Sequence, residues 1–261
     1  MIYYKTDEEI EKIRNSSLLV GKTLAEVCKY IAPGVNTGFL DKLAEEFIRD
    51  NNAKPAFKGY RGFPATLCIS LNEQVVHGIP GKNELKEGDI VSIDCGVLKN
   101  DFYGDSAYTF NVGIVKEDVL QLLRVTQEAL YKGIENAVLG KRLADIGFAI
   151  QSYVEGYGFS VVRDLVGHGI GRNLHEKPEV PNYGKRGNGI KLQKGLVIAI
   201  EPMINMGKYH VVQESDGWTI RTGDRLPSVH FEHTVAVRKG EADILSSFSE
   251  IEEVLKKKNI N

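Results

Sequence analysis

Two aspartates close together in the chain, Asp94 and Asp105, are well placed to do chemistry. They lie within residues 91–111, whose pattern predicts two strands joined by a tight turn. With the turn at Lys99-Asn100, the two aspartates would lie directly opposite each other, with their Cβ atoms roughly 5 Å apart. Two carboxylates that close together in an apolar hairpin repel each other, so they need a shared proton or a cation.

A different strand register would separate the carboxylates of Asp94 and Asp105. Side chains alternate between the two faces of a sheet, so a slip of one residue would put Asp94 and Asp105 on opposite faces. One aspartate would then belong to the turn and the other would face solvent. The hairpin alone leaves both interpretations open.

Two glutamates follow in the second half of the chain. Glu201 comes directly after the apolar run 196–200, and an acid at the end of a buried strand has either a functional role or a buried partner. Glu232 lies within 229–237, which alternates like a strand, and the simpler interpretation there is a solvent-facing acid.

Three histidines add nitrogen donors to these acids. His168 lies in the run G-H-G-I-G, where the glycines disfavour a helix and allow the backbone to approach another group closely. His175 follows seven residues later. His77, in V-V-H-G-I-P, is compatible with a functional or a structural role.

Taken together, the acids and one histidine form a set suited to divalent cations. Structural zinc sites use mainly cysteine and histidine, so this oxygen-rich set does not fit one. It does fit two hard or borderline ions bridged by carboxylates. The set consists of Asp94, Asp105, His168, Glu201 and Glu232.

Helices and strands that could position these residues occur twice along the chain. Helical periodicity predicts helices over 6–32, with Thr6 and Glu9 as a capping box, and over 38–51, 117–136 and 142–156. Strands are predicted at 65–71 and 75–79. Shifting the first half by about 103 positions aligns its apolar residues with those of the second. An internal duplication, with halves 1–115 and 116–261, would place one cleft between them, although two unrelated amphipathic helix pairs can also align.

Composition narrows the class of protein. The 261 residues include 33 basic and 35 acidic side chains, a balance that predicts no nucleic-acid or membrane binding. No apolar run reaches the length of about 18 residues that a membrane span needs. The three cysteines are widely spaced, which predicts free thiols and a cytoplasmic protein.

Read in order, these motifs resemble methionine aminopeptidase of type I over essentially the whole chain. Besides the acids and the G-H-G-I-G run, they are G-Y-R-G-F-P at 59–64, C-I-S-L-N-E at 68–73, H-G-I-P at 77–80, I-E-P-M at 200–203, D-G-W-T at 216–219 and F-E-H-T at 231–234. The resemblance implies the α/β pita-bread fold, in which two pseudo-symmetric halves, each with two helices packed on a curved antiparallel sheet, form one catalytic domain over 1–261.

The resemblance also implies a role for each metal-binding residue. Asp94 would chelate one ion, Asp105 and Glu232 would bridge both, and His168 and Glu201 would complete the other. Glu201 would also shuttle a proton. The ions would be Co, Mn, Fe or Zn, and a hydroxide bridging them would attack the peptide carbonyl.

The substrate-binding residues follow from the same resemblance. His77 and His175 would contact the amide and the carbonyl of the substrate. The methionine pocket would be lined by Tyr60, Phe63, Cys68, His77, Leu174 and Trp218. Many family members have phenylalanine where this chain has Leu174, which leaves the exact selectivity of the pocket open.

The implied function is removal of the initiator methionine when the second residue is small. The expected partners are the N-termini of nascent polypeptides beginning with Met, with the ribosome as a further candidate, and the expected state is a monomer. One alternative is a proline-specific peptidase of the same fold, but those enzymes carry an additional N-terminal domain and only 93 residues precede Asp94 here. Another is a non-catalytic binding protein on this fold, which would be expected to have lost ligands that this chain retains.

Overall fold

The computed structural model describes residues 1–260, which contain five α-helices, one short 3-10 helix and fifteen strands. The helices are α1 (Asp7–Cys28), α2 (Thr37–Asp50), α3 (Glu117–Ile134), α4 (Leu143–Glu155) and α5 (Ser249–Ile260), and the 3-10 helix is Tyr60–Gly62. The strands are β1 (Lys54–Pro55), β2 (Leu67–Leu71), β3 (Gln74–Val76), β4 (Ile90–Lys99), β5 (Phe102–Asn111), β6 (Ser160–Val161), β7 (Gly167–Gly169), β8 (Glu176–Val180), β9 (Val197–Ile200), β10 (Met203–Asn205), β11 (Val211–Gln213), β12 (Ile220–Thr222), β13 (Ser228–His230), β14 (His233–Ala236) and β15 (Asp243–Ile244).

Helix α1 begins as its sequence predicts and lies directly on β5. Thr6 and Glu9 form the expected capping box, which satisfies backbone N–H groups at the helix start. The helix ends at Cys28, four residues earlier than expected. A Cβ atom on Gly104 would come within 2.3 Å of the Ser17 nitrogen, so only glycine allows α1 to approach the strand this closely. This contact presses α1 against the strand that carries Asp105.

The predicted hairpin exists, but its turn was wrong by one residue. Strands β4 and β5 pair with Lys99 opposite Phe102, so the turn is Asn100-Asp101. Both turn residues have left-handed backbone angles, with φ of 52° and 64°, as a type I′ turn requires. Asparagine and aspartate tolerate this conformation, whereas lysine seldom adopts it.

The corrected register keeps both aspartates on one face of the sheet. Asp94 lies opposite Ala107 and Asp105 lies opposite Gly96. Moving a two-residue turn by one position shifts the pairing by two residues, which preserves the face of every side chain. The aspartates are therefore diagonal neighbours rather than a directly opposed pair, and they are still close enough to interact.

The second half supplies a five-stranded sheet with the order β15-β14-β9-β7-β8. The predicted strand 229–237 is broken, because β13 pairs with β10 in one sheet and β14 pairs with β9 in another. Glu232 lies at this break and is 2% exposed, so the simpler interpretation of a solvent-facing strand acid was wrong.

Hydrogen bonds join this break to the hairpin of the first half. The Glu232 amide donates to the carbonyl of Ala107 over 3.0 Å, and the Ser106 hydroxyl donates to the Glu232 carbonyl over 2.6 Å. The Thr234 hydroxyl donates to the carbonyl of Asp105 over 2.8 Å. The two halves are thereby joined where their acids meet.

The helices cover the sheets and enclose the core. Helix α1 packs on β4, β5, α2 and α5, while α3 and α4 pack on each other. The order of two helices followed by strands occurs twice, which is compatible with the predicted internal duplication; the duplication itself stays a prediction. Cys28, Cys68 and Cys95 are buried free thiols, as expected. Within the part of the chain that the structure describes, no helix is long and apolar enough to cross a membrane.

Candidate active site

The five residues proposed as metal ligands line one cavity. Asp94 and Asp105 come from the β4–β5 hairpin and His168 from the middle of β7. Glu201 directly follows β9, and Glu232 lies between β13 and β14. The structure therefore brings together residues that are as much as 138 positions apart in the sequence.

The side-chain atoms of this group lie close enough together to bind a common ion. Nε2 of His168 is 3.6 Å from Oε1 of Glu201 and 3.9 Å from Oδ2 of Asp105. Asp105, His168 and Glu232 each offer one ligand atom within 4.8 Å of the others. The two distances from Nε2 of His168 are too long for hydrogen bonds. Atoms bound to one ion at about 2.1 Å lie up to about 4.2 Å apart, which is close to this spacing.

Three carboxylate oxygens at this site are buried and unpaired. Oδ1 of Asp94, Oδ1 of Asp105 and Oε1 of Glu232 find no hydrogen-bond partner within residues 1–260. Leaving one such group unsatisfied costs about 1–3 kcal/mol, and more when it is charged. Carboxylate oxygens with one imidazole are ligands that Mn²⁺, Fe²⁺, Co²⁺ and Zn²⁺ all accept. The residues present thus fit a divalent metal centre.

Burial and mutual repulsion change the acidity of the cluster. Burial raises the pKa of Asp94 to about 7, with Glu201 adding to the rise and His230 opposing it. Burial also raises the pKa of Glu201 to about 7. Burial and then the charge on Asp94 hold the pKa of Asp105 well above its usual range, and the pKa of Glu232 is likewise raised. Without a cation, the cluster retains protons near neutral pH.

Two further histidines lie on the same cavity. The His175 ring is 4.2 Å from that of His168, and its Nδ1 is 2.9 Å from the hydroxyl of Tyr60. Desolvation and the neighbouring His168 lower the pKa of His175. Burial lowers the pKa of His77 to about 4. Both rings are therefore neutral at pH 7, and each can donate one hydrogen bond.

His77 is held in a constrained backbone conformation. Its φ of 61° lies in the left-handed region, which is unusual for a residue other than glycine. The following Gly78 leaves no room for a side chain, since a Cβ there would come within 2.2 Å of the Ile69 carbonyl oxygen. Close packing against β2 therefore keeps His77 at the cavity wall.

An apolar pocket adjoins the acids. All six residues that the sequence proposed for the methionine pocket line the cavity: Tyr60, Phe63, Cys68, His77, Leu174 and Trp218. The rings of Phe63 and Trp218 meet edge to face, with centroids 5.2 Å apart. Cys68 lies opposite Asp94 in the β2–β4 pairing, which places the apolar pocket next to the acids of the candidate metal site.

Sequence reasoning missed three residues at or near the site. Phe57 and Arg61 line the cavity, and they belong to the same glycine- and proline-rich loop as Tyr60 and Phe63. His230 is 1% exposed, and its Nε2 is 3.6 Å from Oε2 of Glu201. The strand alternation offered a signal, because His230 is two residues from Glu232 and such residues share a face.

Comparison with known proteins places the chain in a family. The model of metallopeptidase family M24 matches residues 11–239. A methionine aminopeptidase from Clostridium perfringens is 53% identical over 246 residues, which cover 94% of this chain and 99% of the relative. Methionine aminopeptidase 1 from Bacillus subtilis is 48% identical, with 94% of this chain and 99% of the relative covered.

Solved structures agree on the fold. The methionine aminopeptidase of Rickettsia prowazekii superposes with a TM-score of 0.93 at 43% identity, covering 95% of this chain and all of that one. A prolidase from Pyrococcus horikoshii has a TM-score of 0.77 at 23% identity, and only 63% of its chain is covered. At this identity, the likeness to the prolidase shows the fold alone.

The α/β fold and the acid-lined cavity define a metallopeptidase of the pita-bread type, and the chain belongs to metallopeptidase family M24. Within that family it groups with the methionine aminopeptidases, at about 50% identity over nearly its whole length. The alternatives of a proline-specific peptidase and of a non-catalytic binding protein have no comparable support.

The raised pKa values predict how pH changes the stability of metal-free protein. The pKa of the Asp94 carboxyl is about 7 in the folded chain against an ordinary value of 3.8, so the folded state binds this proton more tightly than the unfolded state. The stabilisation it provides is complete below about pH 4 and is lost as the pH rises through 7. We expect wild-type protein to lose stability relative to Asp94→Asn between pH 4 and 8.

Urea unfolding with excess chelator, repeated between pH 4 and 8, measures the difference in stability between wild type and Asp94→Asn. Asp164→Asn alters an exposed acid later in the chain and serves as the control. Its stability should change with pH in the same way as that of the wild type. If the stability difference between wild type and Asp94→Asn stays constant with pH, the electrostatic account of the cluster is wrong.

Proposed function

We propose that the protein removes the N-terminal methionine from polypeptides whose second residue is small, using two divalent metal ions. The observation that carries this proposal is the group of buried, unpaired carboxylate oxygens beside an apolar pocket, in a chain of family M24. Co, Mn, Fe and Zn all suit the donor set.

Each ligand would have a defined place in the metal centre. We assign Asp94 to one ion, Asp105 and Glu232 to both, and His168 with Glu201 to the other. The short distances from His168 to Glu201 and Asp105 support the grouping around the second ion. When bound, the ions would polarise the peptide carbonyl and lower the pKa of a water molecule.

Glu201 is suited to proton transfer in this reaction. Burial raises the pKa of the Glu201 carboxyl in the metal-free protein, and a carboxylate that lines the cavity can accept a proton and release it again. We propose that it takes a proton from the attacking water as the hydroxyl adds to the carbonyl carbon. It then passes that proton to the amide nitrogen as the carbon–nitrogen bond breaks.

The two neutral histidines would contact the peptide bond. His175 is exposed at the cavity mouth, and its Nδ1 is 2.9 Å from the hydroxyl of Tyr60. Its Nε2 would therefore be the atom that contacts the substrate carbonyl oxygen. We assign His77 to the substrate amide. Because neither ring is charged at pH 7, each acts as a hydrogen-bond donor without adding positive charge beside the metal ions.

The pocket would select the methionine side chain. Phe63 and Trp218 present aromatic surface and Cys68 presents sulfur, and both favour a thioether. Leu174 is 1% exposed and closes part of the wall. Because a leucine is smaller than the phenylalanine that many relatives have there, we expect a slightly wider pocket.

We further propose the setting in which the enzyme works. Residues 1–261 would act as a single catalytic domain and as a monomer in the cytoplasm. Its substrates would be the N-termini of nascent polypeptides that begin with Met, and the ribosome is a further candidate partner.

Removal of metal should abolish the activity. We expect chelation to stop hydrolysis of Met-Ala-Ser and added Co²⁺ or Mn²⁺ to restore it, because the carboxylates alone cannot activate water. Asp94→Asn should bind metal much more weakly, while Asp164→Asn should match the wild type. Calorimetric metal titration and peptide assays measure both effects. Full activity in protein shown by elemental analysis to be metal-free would disprove the metal-dependent mechanism.

Activity should depend on the size of the second residue. Peptides beginning Met-Gly, Met-Ala or Met-Ser should be cleaved well and those beginning Met-Leu or Met-Lys very poorly, because a bulky side chain would collide with the cavity wall beside the acids. By the same rule the protein should keep its own Met1, since Ile2 is bulky. Mass spectrometry of the peptides and of the expressed protein tests both, and equal cleavage of Met-Ala and Met-Leu would contradict the proposed selectivity.

His168 and His175 should separate metal binding from catalysis. We expect His175→Ala to keep nearly normal metal affinity and to lose about 10²–10³ in turnover, as when one donor to a developing oxyanion is removed. His168→Ala should lose metal affinity as well. Calorimetric titration of both variants distinguishes the roles, which would have to be exchanged if only His175→Ala lost a metal.

A further inference from the structure

His230 lies against the metal-binding acids but has no part in the reaction proposed above. It ends strand β13 and is 1% exposed. Its Nε2 is 3.6 Å from Oε2 of Glu201, and it also acts electrostatically on Asp94. The ring thus stands beside two of the five ligands.

The Nε2 atom of His230 is buried and has no hydrogen-bond partner among the described residues. A buried nitrogen of this kind is destabilising if it stays unpaired. The nearest carboxylate oxygen is itself a strong acceptor once ionised. A movement of about 0.5 Å would bring the two atoms within hydrogen-bond distance.

The position of His230 relative to the cavity indicates a supporting role. Asp94, Glu201 and Glu232 line the cavity, whereas His230 is not among its described lining residues. His230 is also absent from the group whose ligand atoms all lie within 4.8 Å of one another, which is Asp105, His168 and Glu232. It can, however, hold one of the cavity-lining carboxylates in place.

The backbone around His230 is fixed on both sides. Its amide donates to Oγ1 of Thr109 over 3.1 Å, and the Thr109 hydroxyl donates to the His230 carbonyl over 2.7 Å. Oγ1 of Thr109 is also 2.7 Å from the hydroxyl of Ser92 on the neighbouring strand. In β13, His230 pairs with Met203, two residues after Glu201. The ring therefore stands on a rigid support.

The two oxygens of Glu201 face different imidazoles. Oε1 is 3.6 Å from Nε2 of His168, and Oε2 is 3.6 Å from Nε2 of His230. His168 lines the cavity and His230 does not. The carboxylate thus has one oxygen on the metal side and one on the side of the protein interior.

We propose that His230 is a positioning residue whose Nε2–H donates a hydrogen bond to Oε2 of Glu201, leaving Oε1 as the oxygen that binds metal. The inference rests on the proposed function, because it concerns the same metal centre. Partners of this kind orient ligands, and their loss typically weakens metal binding about 10–100-fold. The proposal also specifies that Glu201 binds metal through a single oxygen.

Two substitutions test whether the hydrogen bond matters. His230→Gln keeps an N–H donor of similar reach, while His230→Leu has a similar volume and no donor. Metal-free wild type and both variants would be titrated with Mn²⁺ by calorimetry, and urea unfolding would confirm that each is folded. We expect His230→Leu to bind Mn²⁺ about 10–100-fold more weakly and His230→Gln to bind within a few-fold of the wild type.

A third substitution keeps the test decisive if His230→Leu does not fold. His230→Asn carries the same amide as His230→Gln on a side chain one methylene shorter, so its donor falls short of Oε2. It should bind Mn²⁺ as weakly as expected of His230→Leu. Rescue by glutamine but not by asparagine would show that the hydrogen bond, rather than polarity or volume, supports the metal.

The possible failures have different meanings. Wild-type affinity in the leucine and asparagine variants would overturn the role of His230 while leaving the proposed function intact. Equal weakening in all three variants would also overturn it, since the hydrogen bond would then not be the cause. A wild type that binds no Mn²⁺, Co²⁺, Fe²⁺ or Zn²⁺ would instead refute the proposed function, and the inference with it.

Discussion

The structure depends on keeping four carboxylates close together in a buried cavity. Each acid would be more stable in water, and the charges of Asp94 and Glu201 raise the pKa values of Asp105 and Glu232. An arrangement this unfavourable persists only where the surrounding structure holds it and a ligand compensates for it. Much of what surrounds the cavity can be understood as support for that arrangement.

The support comes from both halves of the chain. In the first half, the β4–β5 hairpin carries two aspartates and is pressed from behind by α1 at Gly104. In the second half, Glu201 follows a buried strand whose backbone is held in turn, because the side-chain amide of Asn182 donates to the Glu201 carbonyl over 3.0 Å. Hydrogen bonds from Ser106 and Thr234 join the halves at the acids. Neither half contains the whole ligand set.

Much of this could be predicted from the sequence, because local patterns and family motifs carry it. The capping box at Thr6 and the periodicity of the first four helices gave their positions to within a few residues, and the structure brings all of the proposed site residues to one cavity. The predictions that were wrong depended on backbone conformation and on sheet pairing, which the sequence patterns do not carry. The turn at Asn100-Asp101 is set by backbone angles, and the break before Glu232 arises because the chain changes sheets where alternation continues unbroken. Phe57 reaches the cavity only through tertiary packing, and the contact between His230 and Glu201 also depends on it.

The position of the hairpin turn has a consequence for how this chain can change over evolutionary time. The acids stay on one face when the pairing shifts by two residues, but a shift of one would turn Asp105 away from Asp94. Insertions at Asn100-Asp101 should therefore be tolerated where the longer loop keeps Lys99 opposite Phe102, while a change that shifts the pairing by one residue would need a β-bulge before the strand reaches Asp105. The turn lies at the surface and touches none of the acids, yet its variation would be limited to loops that preserve the strand pairing behind it.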